Sequence, residues 1–176
     1  MLRHLIALVA CALCVGAGPA TAQAPKPAQP AQDAQPRSGE SYLFHGEFVS
    51  LDAASRALTV RARVLGDAAT DVGRFTAGDR LLLMWSGLDI HAGAVRRVTK
   101  YDPGQQILDF FALPVELASR DVQNEQMTFR IRIPDASVGA VKAFKPGGWI
   151  TVTTRHRPKA EADAIIAVGG YVKSQS

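Results

Sequence analysis

A formal net charge of +4 over 176 residues is too small to name a nucleic acid or a membrane as the partner. The two cysteines, Cys11 and Cys14, both fall in the first 22 residues, so a chain that loses its leader has neither a disulfide framework nor thiol chemistry. Such a protein has to rely on its apolar core.

Residues 1–22 have the anatomy of a secretion signal: basic Arg3 and His4, an apolar run over 5–15, and a small-x-small site at Ala20-Thr21-Ala22. The run is too short for a spanning helix. Leu8-Val9-Ala10-Cys11 offers a lipoprotein box as the alternative, with an unusually short apolar stretch before it. Cleavage after Ala22 predicts a periplasmic or secreted protein with no transmembrane segment. It removes one arginine and no acid, so +4 becomes +3. Residues 23–40, QAPKPAQPAQDAQPRSGE, hold four prolines and four glutamines and read as a Pro/Gln-rich disordered linker.

The remaining chain predicts an all-β fold made of one or two small OB-like barrels, in the second case tandem units sharing a strand. An N-terminal β unit is expected over 41–98 and a C-terminal OB-like barrel over 93–173. Residues 43–51 and 58–64 form a hairpin around Asp52-Ala53-Ala54-Ser55. Leu58, Val60, Ala62 and Val64 point to one side; Thr59, Arg61 and Arg63 point to the other. Residues 66–73 read as a polar connection, and 80–85 as a strand apolar on both faces. Residues 88–98 are expected to close the first unit and open the second. Residues 107–117 form a strand pair broken at Pro114.

In MTFRIRI, Met127, Phe129, Ile131 and Ile133 alternate with Thr128, Arg130 and Arg132, the period of a half-buried strand. Pro134 stops it, Asp135 is placed to cap one short helix over 135–143, and Lys145-Pro146-Gly147-Gly148 turns into a strand from Trp149. Gly169-Gly170 suggests a bulge or a close backbone approach in the closing strand. Two echoes relate the halves: Gly46-x-Phe48-x-x-Leu51 with Gly93-x-Val95-x-x-Val98, and Phe75-Thr-Ala-Gly-Asp79 with Phe144-Lys-Pro-Gly-Gly148.

GAVRRV, EQMTFRIRIP, the short helical link and FKPGGWITV follow one another in an order that resembles the periplasmic copper and silver chaperones of bacterial efflux systems. The resemblance covers the second half of the chain and implies a five-stranded OB-type barrel. In that family a Met-x-Met pair on the third strand, a nearby Trp and a His on the second strand hold a monovalent metal. Carried over, Met127 is the one metal position that matches. Phe129 stands at the second methionine, the Trp position falls in Val122-Gln123-Asn124-Glu125, and 107–117 has no histidine.

Other candidates come from the residues themselves. His45, His91, His156 and Met84 are metal-ligand types without ligand spacing, and Met84 and Trp85 must face opposite ways. Asp89 could orient His91 as a general base, but no nucleophile motif accompanies them, and the reading is non-enzymatic. Arg61, Arg63, Arg130 and Arg132, with Arg96, Arg97, Arg155 and Arg157, read as a solvated strand face or as a surface for an anionic partner. Aromatics are too sparse among them for nucleic acid. The expected function is a binding or adaptor module for an envelope protein or anionic ligand, without cofactor; the alternative is copper or silver handling at a non-standard site.

Overall fold

The computed structural model describes residues 41–85, 94–109 and 111–171. They form eight strands: β1 (Ser41–Asp52), β2 (Ala57–Val64), β3 (Arg80–Trp85), β4 (Ala94–Lys100), β5 (Ala112–Asp121), β6 (Gln126–Arg132), β7 (Trp149–Arg155) and β8 (Ile165–Gly170). The strand residues are buried where the period of two requires it. Leu58, Val60, Ala62 and Val64 on β2, and Met127, Phe129 and Ile131 on β6, are all interior. β3 is apolar on both faces and covered on both: Leu81, Leu83 and Trp85 join the main core, while Leu82 and Met84 pack with Tyr101, Ile107 and Ala112.

The strands run in the order β4-β3-β5-β6-β2-β1-β7-β8, and a further β2–β4 pairing closes β2, β6, β5, β3 and β4 into a five-stranded barrel. That closing pair is parallel (Arg63↔Ala94, Val64↔Val95); every other pairing is antiparallel. The all-β barrel architecture is therefore the expected one, but its strands are interleaved. β2 pairs with β6 and with β4, and β1 pairs with β7, so ladders cross the boundary expected near 93–98.

Interleaving follows from a repeat in the chain. Residues 48–64 align without a gap on 117–133, at a constant step of 69 (Leu58 to Met127, Arg61 to Arg130, Val64 to Ile133), so that LTVRARV faces MTFRIRI. The geometry repeats with the residues. β1 is bulged between Phe48 and Ser50, and β5 between Leu117 and Ser119. Asp52 accepts a hydrogen bond from the Ser55 hydroxyl, and Asp121 from the Asn124 amide. Arg56 and Glu125, at matching places, both have positive φ. Gly147 N–H and Phe48 N–H bond to Phe48 O and Gly148 O; Gly78 N–H and Leu117 N–H bond to Leu117 O and Asp79 O.

The copies in the chain are thus β1-β2-β3 and β5-β6-β7, related by a local twofold through the Val60↔Phe129 pair of β2 and β6, and the first strand of each pairs with the last strand of the other. The Phe75/Phe144 echo belongs to this repeat. Phe48 matches Leu117, not Val95, so the Gly46/Gly93 echo is out of register, and Gly93 itself lies outside the described residues.

Several local expectations are corrected. Residues 66–73 are not merely a connection but contain helix α1 (Asp67–Val72), which buries Ala68 and Val72, one turn apart. Helix α2 (Asp135–Val141) is the one expected, but its N-cap is Pro134 without a side-chain cap. Asp135 is its first residue and pairs with Arg56 at 2.9 Å. Pro114 does not break β5. It lies opposite Leu82 on β3, while Trp85 N–H reaches Phe111 O and Leu117 N–H reaches Asp79 O. The ladder alternation turns residue 114 away from β3, on the side where pairing with β6 starts only at Glu116. The irregularity of β8 falls between Thr153 and Thr154 of β7, opposite Ala167 and Ile165, and leaves Gly169 and Gly170 in regular register.

Candidate functional site

On the outer face of the shared strands the arginines of β2 and β6 are brought close by antiparallel pairing, which places directly opposed residues on the same side. Arg130 lies opposite Thr59 and Arg132 opposite Ala57; Arg61 lies opposite Thr128 and Arg63 opposite Gln126. Pairing extends one row outward through Thr59, Arg130, Glu116 and Arg80, on β2, β6, β5 and β3.

Three residues of that row, Arg130, Glu116 and Arg80, floor a groove of about 530 Å³. Its walls are the β1–β2 turn (Ser55), the segment after β4 (Tyr101, Gly104) and the β7–β8 loop (Lys159–Ala162). Four cations line it, Arg80, Arg130, Arg132 and Lys159, against two carboxylates, Glu116 and Glu161. Arg130 Nη1 meets Glu116 Oε1 at 2.6 Å, with both side chains about half exposed, and Arg80 pairs with Glu161. Neither Arg132 nor Lys159 has an ion pair among the described residues. Arg80 Nε is buried and has no hydrogen-bond partner among the described residues. Exposed ion pairs are worth only about 0–1 kcal/mol, so exchanging Glu116 for a ligand anion costs Arg130 little.

Of the eight arginines singled out from the sequence, the groove takes Arg130 and Arg132. Arg61 and Arg63 belong to the copy across the local twofold, paired with Glu47 at 3.3 Å and with Glu125 at 4.0 Å. The metal-ligand types are scattered. Met127 is 1% exposed in the main core and Met84 lies in the smaller apolar cluster. His45 Nδ1 bonds Thr151 Oγ1 at 3.0 Å, and His156 Nδ1 bonds the Tyr42 hydroxyl at 3.0 Å. Burial of His45 holds its pKa below the ordinary 6.5. Among the described residues no three His, Cys, Asp or Glu side chains cluster as a metal site would require. His91 and Asp89 lie outside the described residues, as do the leader, the linker, Cys11 and Cys14.

Sequence reasoning missed Arg80, Glu116, Lys159 and Glu161. Only Glu116 left a trace: Glu47 matches Glu116 in the repeat, as Arg61 matches Arg130, so the ion pair is duplicated with its strands. No described helix is long and apolar enough to cross a membrane. Comparison of the chain with protein-family models, with curated proteins and with solved structures gives no match.

Proposed function

We propose that this chain is a non-enzymatic, exported binding module whose groove takes an anionic group carried by an envelope component or a partner protein. The observation that carries this reading is the groove's charge surplus, four cations to two carboxylates, with Arg132 and Lys159 in no ion pair among the described residues. Small OB-type barrels take ligands across the face of adjacent strands and the loops beside it, and this groove has that placement. The leader and the Pro/Gln-rich segment ahead of the barrel fit export and a spacer that holds the module away from its attachment point.

The groove holds no paired acid and base. Its carboxylates are each bound to a guanidinium, and no serine-histidine or cysteine-histidine pair lines it. Recognition of charge is what it is equipped to do. The test is titration of the barrel with a sulfated oligosaccharide and with inorganic polyphosphate at low and physiological salt. Binding should weaken with salt, and Arg132→Glu with Lys159→Glu should reduce it about tenfold or more. Absence of binding to either anion at low salt, or binding untouched by the double reversal, refutes the reading.

A further inference from the structure

The local twofold copies the groove's floor and changes one residue. The row Thr59, Arg130, Glu116, Arg80 has as its counterpart Thr128, Arg61, Glu47, Trp149, paired across β6, β2, β1 and β7. An indole therefore stands where the groove has a guanidinium. The copies differ again one residue beyond β4 and β8, where each chain segment places a tyrosine. Tyr101 is 2% exposed beneath its own loop, in contact with the cluster of Leu82, Met84 and Ile107, whereas Tyr171 is 50% exposed and Trp149 52%.

The two open rings lie 6.4 Å apart at 66°, and Tyr171 rests edge-on against His45, 5.0 Å away. Beside Trp149, β8 presents Gly169 opposite Thr151, and the space a side chain there would fill is empty. On the β8 side the indole thus has Tyr171 for a neighbour and no side chain at 169. On its other side Glu47 and Arg61 form a matched pair, so this row carries no charge surplus.

We infer that this face binds a neutral pyranose unit of an oligosaccharide. The apolar face of a sugar ring stacks on Trp149, and vicinal hydroxyls donate to Glu47 and accept from Arg61. Matched charge is the argument for a neutral ligand: a phosphate backbone would need the cation surplus that the groove has and this row lacks. Addition of a peptide strand to β8 is blocked at its middle, because the Val168 N–H is already bonded to Ser137 Oγ at 3.1 Å. The inference stands on Trp149, Tyr171 and Glu47, none of which lines the groove.

Tryptophan emission reads it directly, because Trp149 is exposed and Trp85 is 4% exposed with its Nε1 bonded to Leu43 O. Hexasaccharides of β-1,4-linked glucose and of β-1,4-linked N-acetylglucosamine are titrated to about 10 mM, the range in which a single stacked ring is expected to saturate. One of them should shift the emission to the blue with little salt dependence. Trp149→Ala should weaken binding about tenfold or more, Trp149→Phe should retain part of it, and Glu47→Gln should weaken it severalfold. Leu108→Ala, an exposed apolar side chain elsewhere, should leave it unchanged. No shift with either sugar overturns the inference, as does sugar binding that survives Trp149→Ala. A shift produced instead by a single-stranded oligonucleotide, or by raising the protein concentration alone, also overturns it.

Discussion

Removing the Phe129 ring tests both the register of β6 and the place of the local twofold. The side chain is 0% exposed, pairs across the sheet with Val60, and lies 5.9 Å from the Phe44 ring, which in turn packs on Trp85 at 5.0 Å. Phe129→Ala therefore opens a cavity at the seam of the two copies, where β2 and β6 meet and neither can collapse alone. Burial of this kind costs about 3–5 kcal/mol on truncation. That is a large share of the roughly 5–15 kcal/mol available to a domain of this size. The thermal midpoint should fall by about 10–20 °C. The neighbouring Arg130→Ala removes only an exposed ion pair with Glu116 and should stay within about 1 kcal/mol of wild type. Circular dichroism melts and urea titrations of the three proteins, at equal concentration, provide the comparison. Overlapping melts of Phe129→Ala and wild type, or a larger loss in Arg130→Ala, would refute the register and the argument built on it.

Gly46 sits where β1 leaves β2 for β7, and a Cβ there would run into Val60 Cγ1 and come within 3.3 Å of Arg61 O. Gly46→Ala should cost about 1–3 kcal/mol in urea unfolding, and a neutral result would mean that the crossing is not tight. His45 is held below its ordinary pKa by burial, so below pH 6.5 the unfolded chain binds a proton that the folded chain refuses. Stability should fall as pH drops from that value toward the lower, folded pKa, and His45→Gln should flatten that part of the pH–stability curve. The Asp52 carboxyl is depressed below 3.8 by hydrogen bonds from the Ser55 hydroxyl and then the Ser55 and Ala54 backbones. Its contribution is present above that pH and is lost as pH falls through the folded pKa. Asp52→Asn should accordingly remove part of the acid-limb slope measured by urea unfolding between pH 4 and pH 2.

The strands were legible because alternation is local. MTFRIRI and LTVRARV each carry their inside and outside within seven residues, and Phe129 and Arg130 lie where that pattern puts them. Helix α1 was not legible, since Asp67, Thr70 and Asp71 dominate its composition and only Ala68 and Val72 mark a buried face. Pro114 misled for a physical reason: whether a proline stops a strand depends on which edge is paired at that residue, and nothing near it in the chain says so. The groove was half legible. Arg130 and Arg132 announce themselves by alternation, but Arg80 and Glu116 meet them only through ladders between distant segments, and Glu161 through the β7–β8 loop. The repeat was visible in principle, for a comparison of the chain with itself at a step of 69 aligns Phe48 with Leu117 and every residue through Val64 and Ile133.

The β1–β7 ladder has a consequence for the order of assembly. It pairs Ser41 with Arg155 and Glu47 with Trp149, so the first strand has to wait for the seventh to be made. Until then, half of β1 is an unpaired edge rich in Tyr42, Leu43 and Phe44, and β2 lacks its β6 neighbour as well. Contacts of such long separation slow folding and expose strands to wrong pairing in the meantime. A chain whose β6 and β7 lie in its last third cannot complete these ladders until that part has been made. In the meantime Asp52 and Asp121 can each fix a hairpin turn before the distant strands arrive.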